Sequence, residues 1–168
     1  DKPGKEGVAN LVAEMMIEGT KNKTPLELEE EIEKLGASIN ISASNNAIII
    51  TANSLTRNFE QTLALVEEIL LEPRWDAEEF EMAKMRITNQ LIRQKADPNA
   101  LANKAFNRLA YGADHIFSVD KNGTLQTIDT ISIDDLKAFY ESYFSPSVAS
   151  FLVAGNIDQE NVVRSLGS

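Results

Sequence analysis

The chain has 168 residues, 43% of them hydrophobic and 25% charged, a balance that supports one folded domain spanning 1–168 and argues against disorder. Against 26 acidic side chains stand 16 basic ones, giving a formal charge of −10, and no basic run exceeds the Lys21 and Lys23 pair, so nucleic acid and anionic membrane surfaces are disfavoured as partners. With no cysteine there is no disulfide framework, thiolate zinc site or cysteine nucleophile, and no apolar run approaches the roughly 18 residues of a membrane span.

The opening Asp1-Lys2-Pro3-Gly4 has no signal-peptide character, so any leader is expected to have been removed or to belong to a longer precursor. Val8, Leu11, Val12, Met15 and Met16 then recur at helical spacing and Gly19 supplies a stop, which predicts a first helix. Thr24-Pro25-Leu26-Glu27 is a capping box with proline at the first helical position, opening an acidic second helix that ends at Gly36. Residues 37–43 and 46–54 are rich in Ile, Ala, Ser and Thr around Asn45-Asn46, the pattern of a β-hairpin.

Phe59, Leu63, Val66 and Leu70 mark a third helix closed by Pro73, and Asp76 caps a long fourth helix that runs to about residue 95. Asp97-Pro98 starts a fifth helix, in which Leu101, Ala105, Phe106 and Leu109 share a face until Tyr111-Gly112. Ser132-Ile133-Asp134-Asp135 opens another, carrying Leu136, Phe139, Tyr140 and Tyr143. After Pro146, the apolar run Val148 to Ala154 has the length and composition of a buried strand. This order predicts an α+β fold, a small mostly antiparallel sheet with helices packed on one face.

Several phrases in fixed order then resemble the pitrilysin/insulinase family of zinc peptidases, the inverzincins. They are Gly7-Val8-Ala9, Glu18-Gly19-Thr20, Leu35-Gly36-Ala37, the segment Phe59 to Pro73, Asp97-Pro98, Tyr111-Gly112 and Val153-Ala154-Gly155. The resemblance implies the metallopeptidase domain of the pitrilysin and mitochondrial processing peptidase type, in which repeated α+β domains form two halves that close around a peptide chamber. Such a domain begins with strands ahead of helix one. The chain lacks these leading strands, and the expectation is a piece of a longer multi-domain chain.

Active members of that family carry His-x-x-Glu-His on helix one, two histidines holding zinc and the glutamate activating water. Here the register places Asn10 at the first histidine, Ala13 at the general base and Glu14 at the second histidine. The third ligand, a glutamate shortly before Asp-Pro, corresponds to Gln90, with Asn89 as the one-residue alternative. A hydrolytic zinc site needs three good ligands and a place for water. One carboxylate, two amides and no base predict no catalytic residue and no metal site in this chain, and Glu14 is expected to be a solvated glutamate.

Other candidates carry bland expectations. His115, the only histidine, beside Asp114, is expected to be structural or solvent-facing. Glu27, Glu29, Glu30, Glu31 and Glu33 are expected to be a solvated helix face, since they lack the glycine-turned loop of a calcium site. Trp75 is expected to close a corner of the core. There is no Gly-x-Ser-x-Gly elbow and no phosphate-binding glycine loop.

The resemblance therefore implies a noncatalytic domain of a zinc peptidase, with zinc and catalysis in a partner half or subunit and a peptide as the substrate of the assembly. The alternative is a pseudo-peptidase subunit acting as scaffold or assembly partner. The family's substrate-gripping arginine and tyrosine belong to a domain this chain does not contain. A bacterial protein of periplasm or cytoplasm fits equally, and a small exposed sheet edge favours self-association.

Overall fold

The computed structural model describes residues 1–113 and 115–166. Helix α1, Val8–Met16, has its free N-terminal amides satisfied from a distance: the Asp1 carboxylate accepts from Gly7 N–H at 2.8 Å and from Ala9 N–H at 2.9 Å. Helix α2, Pro25–Lys34, forms with the capping box expected of Thr24 and Glu27. Strands β1, Ser38–Ala43, and β2, Ile48–Asn53, make a two-stranded antiparallel sheet. Its turn places Asn45-Asn46 at the tip, with Ser44 N–H donating to the Ala47 carbonyl at 2.8 Å. Alternation holds along β1, where Ile41 and Ala43 are buried between partly covered or open neighbours.

Helix α3, Phe59–Leu71, follows a short 3-10 turn, and α4, Ala77–Gln94, is capped by the Asp76 carboxylate. Helix α5, Pro98–Tyr111, is capped by Asp97 and has proline in its first turn. Helices α6, Leu125–Thr130, α7, Ile133–Tyr143, and α8, Gln159–Leu166, complete the fold. Neither α6 nor α8 is among the helices expected from the sequence. At six and eight residues they are too short for periodicity to stand out, although α6 carries a reciprocal cap between Thr124 and Thr127.

The chain divides into two compact units, one of residues 1–15, 41–49 and 75–143 and the other of 16–40, 50–74 and 144–168. In the first, Leu11, Val12 and Met15 of α1 are buried, as are Phe80, Ala83, Ile87 and Leu91 at three- and four-residue spacing on α4, together with Ile128, Ile131 and Leu136. Gly123 allows close approach there. It sits at φ 72°, and a Cβ on it would lie 2.0 Å from the Glu6 carbonyl oxygen. Lys5 Nζ donates to Asp135 at 2.7 Å and to the Thr130 carbonyl at 2.9 Å, tying the start of the unit to α7.

The second unit buries Leu28 of α2 and Leu65, Val66 and Ile69 of α3. Thr20 bridges Pro73 in antiparallel sense, and Glu68 gathers the Lys23 ammonium at 2.6 Å and the Thr20 hydroxyl at 2.6 Å. Asn58 Nδ2 donates to the Leu35 carbonyl at 2.8 Å and so fixes the entry to α3 against the end of α2.

The strand expected over Val148 to Ala154 is not formed. Pro146–Val148 is a 3-10 turn, residues 149–154 have no ladder partner, and Phe151 and Leu152 are 64% and 96% exposed. Composition favours a strand here, but a strand also needs a neighbour for its N–H and C=O groups. Among the described residues the sheet has two strands, β1 and β2, and this segment pairs with neither.

Two partly covered carboxyls, one in each unit, are shifted in the same direction. Burial pushes Glu68 up, but hydrogen bonds from Lys23, Thr20 and Asn22 outweigh it and hold the group below its ordinary value. Burial likewise pushes Asp135 up, and Lys5 with the Ser132 backbone and hydroxyl bring it below the usual range. A depressed folded value means that the unfolded chain binds these protons first. Their contribution is complete above the unfolded range near about pH 4 and is lost as pH falls through the lower folded values.

Urea unfolding between pH 6 and pH 3 is therefore expected to show stability that is level at the upper end and falls in acid. Glu68→Gln with Asp135→Asn should flatten that fall, and an equally steep fall in the double variant would contradict the assignment. Gly123→Ala is expected to cost at least ~1 kcal/mol, since both its positive φ and the Glu6 backbone oppose a Cβ. An unchanged urea midpoint would refute that packing.

Candidate functional site

The face of α1 that carries Asn10, Ala13 and Glu14 is not an open one. Asn10 is 7% and Ala13 1% exposed, and α1 is buried on nearly every side rather than along one stripe. Position 13 thus presents a methyl group inside packed surroundings, with nothing that could take a proton from water.

Glu14 is the polar exception. Its side chain is 30% exposed, and a carboxylate oxygen lies 3.6 Å from Nε of Arg86 on α4. The sequence reading makes Glu14 a solvated glutamate; the structure makes it a half-buried one facing a guanidinium. Gln90 and Asn89 are both exposed on α4, and Gln90 lies one helical turn beyond Arg86 on the same side of that helix. Of the four positions, the structure sets Glu14 against α4 through Arg86. Arg86 and Glu14 lie 72 residues apart, and no local spacing points from one to the other.

A guanidinium beside Glu14 changes what the position can do. A carboxylate that faces a fixed cation is a weaker donor to a second cation, because a metal ion must displace or repel the first. The neighbouring donors are neutral amides.

The remaining candidates sit as follows. His115 is exposed and stacks on Tyr111 with centroids 5.3 Å apart, while Phe117 lies 5.2 Å from the His115 ring. Nδ1 of His115 accepts from Phe117 N–H at 3.2 Å, which leaves the proton of the neutral ring on Nε2. Asp114 lies outside the described residues. On α2, Glu27 serves the helix cap, while Glu30 and Glu31 flank Lys34 at 4.0 and 3.0 Å. Trp75 is half-buried, edge-on to Tyr140 at 5.6 Å, with φ 51°. Among the described residues no group of three or more His, Cys, Asp or Glu could hold a metal ion, and no helix is long and apolar enough to cross a membrane.

These features agree with comparison to known proteins. Residues 1–118 match the sequence profile of Insulinase (Peptidase family M16), and residues 130–166 match that of the Peptidase M16 inactive domain. The chain belongs to the insulinase family, peptidase family M16. An uncharacterized zinc protease of Rickettsia bellii is 24% identical over 98% of this chain and 40% of its own length. A Helicobacter pylori protein named non-peptidase homolog YmxG is 22% identical over 96% of this chain and 37% of its own. The crystal structure of a peptidase M16 inactive domain from Pseudomonas fluorescens aligns with a TM-score of 0.75 at 27% identity, over 80% of this chain and 33% of that one. The chain spans about two fifths of the length of the curated relatives it matches.

Zinc, which the family implies, does not fit the donors present at these positions: two amides, a methyl group and a carboxylate already facing Arg86.

The Glu14–Arg86 contact is partly exposed and of moderate length, so its coupling should be small. A double-mutant cycle with Glu14→Gln and Arg86→Gln is expected to give about 0.2–1 kcal/mol. A cycle that gives no coupling would remove the pair from the description of the site.

Proposed function

We propose that this chain is a noncatalytic domain of a zinc metallopeptidase, contributing part of the wall of a chamber that encloses a peptide while another half or subunit carries the metal. The observation that carries the reading is the set of side chains at the zinc-helix register. Ala13 supplies no base and is buried, Asn10 and Gln90 are amides, and Glu14 faces Arg86. Without a base and with one engaged carboxylate, neither zinc retention nor activation of water has a chemical route through these residues. The inactive-domain profile over 130–166 and the likeness to a solved inactive domain support the same reading.

A second reading is a pseudo-peptidase subunit that works as a scaffold, and the relative named a non-peptidase homolog favours it. The two differ in where the zinc helix lies. A His-x-x-Glu-His elsewhere in the same reading frame supports the first, and its absence supports the second.

Calorimetric titration of the purified chain with zinc is expected to show no stoichiometric tight binding, and a quenched fluorescent peptide should remain uncut with or without the metal. One zinc bound per chain, with affinity lost on Glu14→Gln or Gln90→Ala, would overturn the proposal.

A further inference from the structure

In the first unit, the end of α4, α5 and the connection from residue 117 to 126 border an open groove of about 610 Å³. Its apolar lining includes Leu91, Phe117 and Leu125 beside Ala100, Leu101 and Val119. Two hydrogen bonds hold its walls in place: Ser118 Oγ donates to the Asn107 carbonyl at 3.0 Å, and Asn45 Nδ2 donates to the Ile116 carbonyl at 2.8 Å. A groove shaped before binding loses less freedom when it is filled.

Its charge runs against that of the chain. In a molecule of net charge −10, Lys95, Lys104 and Lys121 line the groove, and Asp120 is the one carboxylate among the described lining residues. Lys121 is held in place by its hydrogen bond to the Ala43 carbonyl at 3.3 Å, and Asp120 accepts from Asn122 N–H at 3.0 Å. The lining also carries side-chain amides, among them Gln94, Asn103 and Gln126. Each of these both donates and accepts, which matches the alternating N–H and C=O of a polypeptide better than an all-acceptor phosphate chain.

We propose that this groove is a docking site for an acidic polypeptide segment that carries an aliphatic or aromatic anchor. The anchor lies against Leu91, Phe117 and Leu125, the carboxylates face the three lysines, and the amides bond the segment's backbone. None of Asn10, Ala13, Glu14 and Gln90 lines the groove, and the proposal does not depend on whether the chain is catalytic.

Fluorescence polarisation tests it, using a fluorescein-labelled ten-residue probe of glutamates around a central Leu-Phe pair and a matched probe with lysines in place of the glutamates. The acidic probe is expected to bind at least tenfold more tightly than the basic one. Lys95→Glu with Lys104→Glu should weaken the acidic probe at least tenfold while circular dichroism and the melting temperature stay unchanged. If that variant fails to fold, Lys95→Ala with Lys104→Ala serves, with an expected loss of at least threefold. Equal binding of the two probes, no acidic binding up to millimolar protein, or full binding by the variants overturns the proposal. Light scattering of the chain alone decides the source: a dimer abolished by the lysine substitutions would make the occupant a second copy and overturn a separate partner.

Discussion

Seven of the nine residues of α1 have lost more than nine-tenths of their surface to packing, and only Ala9 and Glu14 keep intermediate exposure. A helix so enclosed serves as a packing element, because protein interiors are dense and leave little room for a reacting group and its water. In a hydrolytic zinc peptidase the same helix must leave a ligand-bearing face open to solvent and substrate. The side chains on α1 are aliphatic residues and methionine, one buried amide at Asn10, and one carboxylate at its edge directed to Arg86.

The acidic chain manages its charge locally. Each compact unit has one partly buried carboxylate fed by a lysine distant in sequence, Lys5 to Asp135 in the first and Lys23 to Glu68 in the second. Further donors at each carboxylate offset the cost of taking it from water, which is why both remain ionised below their ordinary range. The acidic run of α2 behaves differently, lying on an open helix surface with Lys34 among its neighbours. Around α5 the sign reverses, and no residue of that helix is buried.

Legibility followed the range of the interaction. Caps and stops were readable because a side chain meets a backbone group a few residues away: Thr24 with Glu27, Asp76 with the start of α4 and Asp97 with the start of α5 all formed as expected. The hairpin turn at Asn45-Asn46 is local in the same way. The run Val148 to Ala154 failed for the complementary reason, since whether an apolar extended segment becomes a strand depends on a partner that its own residues cannot specify. The Arg86–Glu14 contact joins positions 72 residues apart and left no pattern in a window of either helix.

The amino-acid sequence by itself determined the family, most helix boundaries and the amide, methyl and carboxylate side chains at positions 10, 13, 14 and 90, because identity and short spacing decide all three. Tertiary structure alone decided that α1 is enclosed rather than one-sided, that Glu14 meets a guanidinium, and that lysines scattered over residues 95–121 border one groove. Burial and long-range pairing arise from which surfaces the folded chain brings together, and that information belongs to no single stretch of the chain.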